Sequence, residues 1–237
     1  MKIAIHQPEH LPWLGFLHKA SLADAFVLLD NVQFRKNYFQ NRNRIRTANG
    51  SSWLTVPVKR HPLNCLISQI KINNTHNWQD KIFKSISLNY QKAPYFKKYS
   101  SFFKETYSLD REFLSELNIH MIRNLLSFFG IKTNLVVASG LSDISGSKGD
   151  LLLSICQRLG ADEYISGISG REYLDTESFK RSGIKVTFQD FFHPVYQQLY
   201  QPFIPCMSGI DLLFNYGDKS QEILLGAKTP RLDYQFK

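Results

Sequence analysis

The chain has 237 residues, 43% of them apolar and 14% aromatic, enough to bury a sizeable core, which excludes an intrinsically disordered protein. No run of about eighteen apolar residues occurs, so no membrane span is expected, and His6, Gln7 and Glu9 interrupt what would be the apolar stretch of a secretory signal. The net charge of +9 is uneven: residues 1–60 hold nine Lys/Arg against three Asp/Glu, which fits either an anionic partner (nucleotide, phosphorylated sugar, nucleic acid or lipid headgroup) or a solvated basic face.

In chain order, Lys2–His6 reads as a strand, Trp13–Ala23 as a helix and Ala25–Asp30 as a second strand. The second strand is almost entirely apolar, as expected for a strand covered on both faces of a parallel sheet. This is a βαβ unit, and Gln7–Pro12 lies at its turn from strand to helix. Strands are expected next at Trp53–Lys59 and Gln69–Asn73. The middle of the chain is helical. Thr75 is expected to cap a helix reaching about Gln91, with Trp78, Ile82, Ile86 and Tyr90 along one side. Pro94 precedes a short basic-aromatic segment. Asp110 is expected to cap a helix carrying the stripe Leu114, Leu117, Met121, Leu125 and Phe128 and ending at Gly130. The α/β pattern resumes with strands at Thr133–Ala138, Glu163–Ser166 and Lys185–Phe188. Between them, Ser147 and Asp150 have capping-box spacing ahead of a helix from Leu151 to Leu159, and a short helix at Thr176–Arg181 stops at Gly183. The pattern describes one α/β domain over residues 1–237, with a helical insertion at about 75–130.

Cys65, Cys156 and Cys206 are odd in number, widely spaced and without a C-x-x-C pair, which fits reduced thiols in a cytoplasmic protein. No histidine adjoins any of them in sequence to activate a nucleophile.

Three segments carry candidate chemistry. The first is His6-Gln7-Pro8-Glu9-His10-Leu11-Pro12-Trp13, at the strand end where α/β sheets hold ligands. His6 and His10 are candidates for acid–base catalysis or for contact with phosphate charge, with structural loop histidines as the plain alternative. A metal is not expected, because Pro8 and Pro12 disfavour the helix that would align two histidines four apart, and no third ligand follows. The second segment is Asp30-Asn31-Val32-Gln33-Phe34-Arg35-Lys36-Asn37 with Asn41-Arg42-Asn43-Arg44-Ile45-Arg46. Asp30 would emerge beside His6. An extended 41–46 segment would put Asn41, Asn43 and Ile45 on one face and Arg42, Arg44 and Arg46 on the other, three guanidiniums suited to phosphates or carboxylates, or a basic edge that discourages aggregation. The third is Ser166-Gly167-Ile168-Ser169-Gly170-Arg171, small residues after a strand and before a helix, where backbone N–H groups accept anions.

Several of these runs together resemble the WbqC-like family of bacterial proteins, often encoded among genes for surface polysaccharide and O-antigen synthesis. The resemblance covers nearly the whole chain. It is carried by His6-Gln7-Pro8 with Leu11-Pro12-Trp13-Leu14-Gly15, by Ala23-Asp24 through Asp30, and by Val32-Gln33-Phe34 with Asn41-Arg42-Asn43. Trp53 to Val58, Asn89-Tyr90, Tyr164 to Gly167, Tyr173-Leu174-Asp175 and Asp211 to Asn215 continue it. His10 stands where the family usually has an aromatic residue, which moves the emphasis to His6.

A more distant similarity links Pro8–Trp13 to the histidine-bearing phosphate segment of Rossmann-like nucleotidyltransferases such as the pantothenate synthetases. Gln33-Phe34 and the Ser166 loop extend it. Trp13 replaces that motif's second histidine and Pro12 its glycine, so the phosphate cradle would have to be rebuilt.

The resemblances imply a Rossmann-like, nucleotidyltransferase-like parallel sheet and a transferase or ligase acting on an activated amino sugar, by adenylyl transfer or amide formation. The alternatives are an acyl-thioester-dependent acyltransferase and a non-catalytic module binding a nucleotide-sugar or nucleic acid. His6, His10 and Lys36 would be catalytic. Gln7, Trp13, Asp30, Gln33, Asn41, Arg42, Asn43 and Arg44 would bind substrate. Ser166, Gly167, Ser169, Gly170 and Arg171 would hold phosphate. ATP with Mg, or an acyl-CoA, would be the cofactor. The expected partner is an anionic nucleotide or nucleotide-sugar rather than nucleic acid, since no nucleic-acid reading motif accompanies the basic residues. Homo-oligomerisation is left open.

Overall fold

The computed structural model describes residues 1–226 and the backbone of 231–232. At its centre is a parallel five-stranded sheet in the order β5-β2-β1-β6-β7, formed by β1 (Lys2–His6), β2 (Ala25–Leu28), β5 (Asn134–Val137), β6 (Glu163–Ser166) and β7 (Lys185–Phe188). Every residue of β2 is buried, as its apolar run requires. This is the Rossmann-like α/β architecture.

Side chains alternate across the strands and separate two cores. Ile3, Ile5, Ala25 and Val27 pack with α5 (Lys148–Arg158) and α6 (Thr176–Arg181) on one face. Ala4, Phe26 and Leu28 face the other way, toward α1 (Leu14–Ser21), α2 (Trp78–Tyr90), α3 (Phe96–Ser108), α4 (Leu114–Phe128) and α7 (Ile210–Tyr216). A hairpin of β3 (Arg42–Thr47) and β4 (Gly50–Thr55) stands apart from the central sheet.

Several expectations are corrected. Gln69–Asn73 is not a strand: a 3-10 turn covers Ile67–Gln69, and only single bridges, Lys71 to Phe113 and Val58 to Ile72, mark the segment. Helix α2 is capped by Asn77, whose side chain accepts from the Asp80 N–H at 3.2 Å, while Thr75 is engaged with Asn73. The segment after Pro94 is a full helix because Phe96, Tyr99, Phe103 and Tyr107 recur at helical spacing and are buried. Helix α4 starts at Leu114 rather than from Asp110, since the Leu114 N–H pairs with the Ile70 carbonyl and Asp110 accepts from Gln79. Ser147 does precede α5, but its side chain makes no capping bond. Gly130, Gly160 and Gly183 follow their helices with φ of 63°, 68° and 74°, conformations that other residues adopt at a cost.

Candidate functional site at the strand order reversal

The strand order reverses between β1 and β6, the place where open α/β sheets hold ligands. Ala4 pairs with Ile165, so continuing the register brings His6, the last residue of β1, level with Gly167 beyond β6. On its other side His6 is paired with Leu28, two residues before Asp30.

The loop after His6 is held from several directions. The Gln40 amide donates to the Gln7 side chain at 2.6 Å, and the His10 N–H donates to the Phe39 carbonyl at 2.9 Å. Asn118, from α4, donates to the Gln40 carbonyl at 2.7 Å. Leu11 lies at φ 46°, a left-handed conformation costing roughly 1–3 kcal/mol, made harder by the following proline. Its carbonyl accepts from the buried Asn43 amide at 2.8 Å, which helps hold the turn. The Trp13 indole lies over Gly15, where a Cβ would meet the ring at 2.2 Å, and packs edge-on against Phe191. Proline stiffness, glycine clearance and an asparagine brace thus make the loop rigid.

Inside the loop is a cluster of titratable groups. His6 keeps 31% of its side chain exposed and packs edge-on against Phe16. Its Nδ1 lies 3.0 Å from the Gln7 carbonyl, so the tautomer with Nδ1–H donates there and leaves an Nε2 lone pair. Glu9 Oε1 is 3.9 Å from the same Nδ1, and Glu9 Oε2 is buried with no hydrogen-bond partner. Lys19, on the inner side of α1, is 4% exposed and donates from Nζ to the Ile5 carbonyl at 2.7 Å. Burial, opposed by the Lys19 charge, raises the Glu9 carboxyl to about 8. Burial, opposed by Glu9, lowers Lys19 to about 7. Desolvation first and the Lys19 charge second push His6 down to about 3, so it is neutral at physiological pH. A carboxyl and an ammonium that both titrate near neutrality beside a neutral imidazole can exchange protons with a substrate without large free-energy cost.

The other candidate residues fall in different surroundings. His10 is fully buried, its Nε2 lies 3.1 Å from the Tyr107 hydroxyl, and it is held neutral by desolvation. Asp30 is buried and receives both the N–H and the hydroxyl of Ser139, at 2.8 and 2.7 Å. Asn41 and Asn43 are buried, and their amides brace the Val56 and Leu11 carbonyls. Gln33 and Lys36 are exposed, and Gln33 donates to the Leu63 carbonyl.

The 41–46 alternation is realised in β3, with one correction. Arg46 does not join Arg42 and Arg44 at the surface: it is 1% exposed, and its guanidinium donates to the carbonyls of Thr47, Gly50 and Pro202. The Ser166 loop is also corrected, because it opens a five-residue 3-10 turn, Ile168–Glu172, rather than an α-helix. Its hydrogen bonds close on themselves: Ser166 Oγ and the Gly170 N–H both donate to the Gly167 carbonyl. Gly170 has no room for a Cβ, which would lie 2.0 Å from Ser166 Oγ. Ser169 and Arg171 remain exposed, with Arg171 over the Phe188 ring.

The model of the WbqC-like protein family matches residues 7–223. The chain belongs to that family. It is also similar to the uncharacterized protein Rv1507c of Mycobacterium tuberculosis, with 33% identity over 226 residues, covering 94% of this chain and 97% of that protein. No solved structure matches the chain.

The family match takes in Gln7, Glu9 and Lys19 along with the arginines of β3. Sequence reasoning missed Lys19, Gln40, Tyr107 and Asn118 as parts of this site, and gave Glu9 no role. A signal for Lys19 existed: one helical turn away on either side lie Gly15, Phe16, Leu22 and Ala23, an apolar stripe and an odd place for an ammonium. Two clefts, of about 260 and 510 Å3, open elsewhere, beside the α4–β5 turn and between α6 and β7. Among the described residues no three His, Cys, Asp or Glu side chains converge as metal ligands, and no helix is long and apolar enough to cross a membrane.

Proposed function

We propose that this protein is a group-transfer enzyme, a transferase or ligase, that modifies an activated amino sugar during synthesis of a bacterial surface polysaccharide. The observation that carries the reading is the Glu9–Lys19 pair beside half-open His6 at the strand order reversal. Family membership supports a role in polysaccharide synthesis, and the early excess of positive charge supports an anionic substrate.

In this mechanism the sugar amine attacks the acyl carbon of an acyl-adenylate or an acyl thioester, His6 takes the amine proton at Nε2, and the acyl–O or acyl–S bond breaks to release AMP or CoA. Glu9, neutral at rest, ionises near Nδ1 as the imidazolium forms and balances it, the logic of a carboxylate behind a catalytic histidine. Lys19 contributes by losing its own charge, because an ammonium there would oppose the imidazolium. The donor decides between ATP-dependent amide formation and transfer from an acyl-CoA, and His6 plays the same part in both.

The test begins with a thermal-shift screen of nucleotides, nucleotide-linked amino sugars and acyl-CoAs, since a ligand of the folded state raises the melting temperature. Product analysis with and without ATP follows. His6→Ala is expected to keep the ligand-induced shift and lose turnover. Unchanged turnover in that variant, or no shift with any nucleotide or nucleotide-sugar, defeats the reading.

A further inference from the structure

Along β3, three arginines project from the same face but meet different fates. Arg46 is buried and donates to three carbonyls from its two terminal nitrogens, while its Nε has no acceptor. Arg42 and Arg44 are half-buried, and among the described residues neither guanidinium donates a hydrogen bond or meets a carboxylate. Both lie instead on one indole: Arg42 is 4.2 Å and Arg44 5.5 Å from the Trp53 ring centre. Trp53 is the cross-strand partner of Arg44 and is 42% exposed. The aromatic surface continues through Phe39, 6.1 Å from Trp53, to exposed Tyr38, which carries Arg35 at 4.9 Å.

The ledge is rigid because the opposite face of β3 is pinned. Asn43 donates to the Leu11 carbonyl, Asn41 just before the strand donates to the Val56 carbonyl, and Ile45 is fully buried. Stacking on an aromatic face fixes a guanidinium's plane and leaves its outer N–H groups available. Both Nε atoms are buried without an acceptor, as is that of Arg46, so the outer N–H groups of Arg42 and Arg44 are the ones an anion would meet.

We propose that Arg42, Arg44 and Trp53 form a nucleoside-diphosphate subsite. The two guanidinium forks hold the diphosphate, and the Trp53–Tyr38 aromatic surface receives the base. One fork satisfies one phosphate, whereas two forks converging on one ring match two linked phosphates. A sugar carboxylate would engage a fork but leave the aromatic surface without a planar partner. This inference rests on the group-transfer reading and specifies its substrate as one carrying a nucleoside diphosphate. The Asn43 bond to Leu11 connects the ledge directly to the His6 loop.

Titration calorimetry of the full chain with UDP, ADP, UMP, inorganic pyrophosphate and an oligothymidylate of about ten nucleotides tests it. UDP or ADP is expected to bind at least about tenfold more tightly than UMP, with pyrophosphate weaker than UDP. Arg44→Ala is expected to weaken UDP about 10- to 100-fold and Trp53→Ala several-fold, with far-UV dichroism unchanged. If an alanine variant does not fold, Arg42→Lys and Arg44→Lys, which keep charge but lose the fork, are expected to weaken UDP about tenfold. Wild-type affinity in these variants, equal affinity for UMP, or no diphosphate binding overturns the proposal. Tighter binding of the oligonucleotide, lost in the same variants, reassigns the ledge to single-stranded nucleic acid. If UDP binds elsewhere, unaffected by the arginines, this subsite fails while group transfer stands. If UDP binds here but no sugar is modified in the presence of any donor, group transfer fails while the subsite stands.

Discussion

Two buried ionic clusters in this molecule are built on opposite plans. Around Asp211, on α7, every group is satisfied: Tyr90 donates to one carboxylate oxygen at 2.9 Å, and Tyr196 and Gln198 donate to the other at 2.7 and 2.9 Å. Tyr90 also accepts from the Arg46 N–H, so the cluster joins α2, α7, β3 and the segment after β8 (His193–Pro194) into one unit. Around Glu9 the opposite holds. One carboxyl oxygen has no partner, the nearest basic atom is the 3.9 Å imidazole nitrogen, and the buried ammonium of Lys19 hydrogen-bonds a backbone carbonyl instead. A saturated buried network rigidifies a fold, whereas an unsaturated one retains desolvation cost that persists when it serves a ligand or a reaction.

Exchanging the two roles by mutation is the most direct way to break this contrast. Glu9→Gln removes the titration and keeps the shape. Under the proposed mechanism it should lower turnover about 10²- to 10⁴-fold and raise the thermal midpoint at neutral pH, because glutamine is buried without having to bind a proton. A variant of full activity would make Glu9 structural and erase the difference between the clusters. Asp211→Ala should do the reverse, costing about 3–5 kcal/mol of stability because it leaves two tyrosines and a glutamine without their acceptor. Denaturant unfolding measures this, and a loss below about 1 kcal/mol would show that the saturated network is not what ties these elements together.

The next effect is one of sign against pH. Glu9 has a raised folded pKa, so its contribution to stability is fully present below about 4.5 and lost as pH rises through about 8. Lys19 has a lowered one, so its contribution is present above about 10.5 and lost as pH falls through about 7. In the wild type the two oppose each other across neutrality. Lys19→Met removes one side, and since Lys19 holds the Glu9 pKa down, its loss extends the Glu9 window beyond 8. Urea unfolding of that variant should show stability falling steadily from pH 5 to 8, by at most about 1.4 kcal/mol per pH unit for one proton. A flat profile would mean the two groups do not share their charge. The smallest expected effect is Tyr107→Phe, which removes the hydroxyl from His10 and should cost about 1 kcal/mol with the pH dependence of stability unchanged. A larger loss, or a new pH dependence, would place His10 in the reactive cluster after all.

The sheet was largely legible in the sequence because its signals are local. The apolar run of β2, the period-two pattern of 41–46 and the glycines after three helices each express backbone geometry that neighbouring residues impose. The helix after Pro94 was harder to see because its buried face is aromatic, and aromatic residues do not announce a helix by propensity. Within the site, the sequence placed His6 at the end of a buried strand and Arg42 and Arg44 on a common face. It could not separate Arg46 from them, because strand periodicity assigns a side, and only the packing of the segment around Pro202 covers that part of it.

Sequence alone determined that this chain forms a parallel α/β sheet with a dense polar turn after its first strand, since both follow from the order of apolar and turn-forming residues. Only the tertiary structure decided which members of that turn are open and which are enclosed. His10 met Tyr107 across 97 positions and became buried, while Lys19 came back along α1 to face the end of β1. Charge and burial belong to the three-dimensional surroundings of a group, and those arise when distant segments pack together and exclude water.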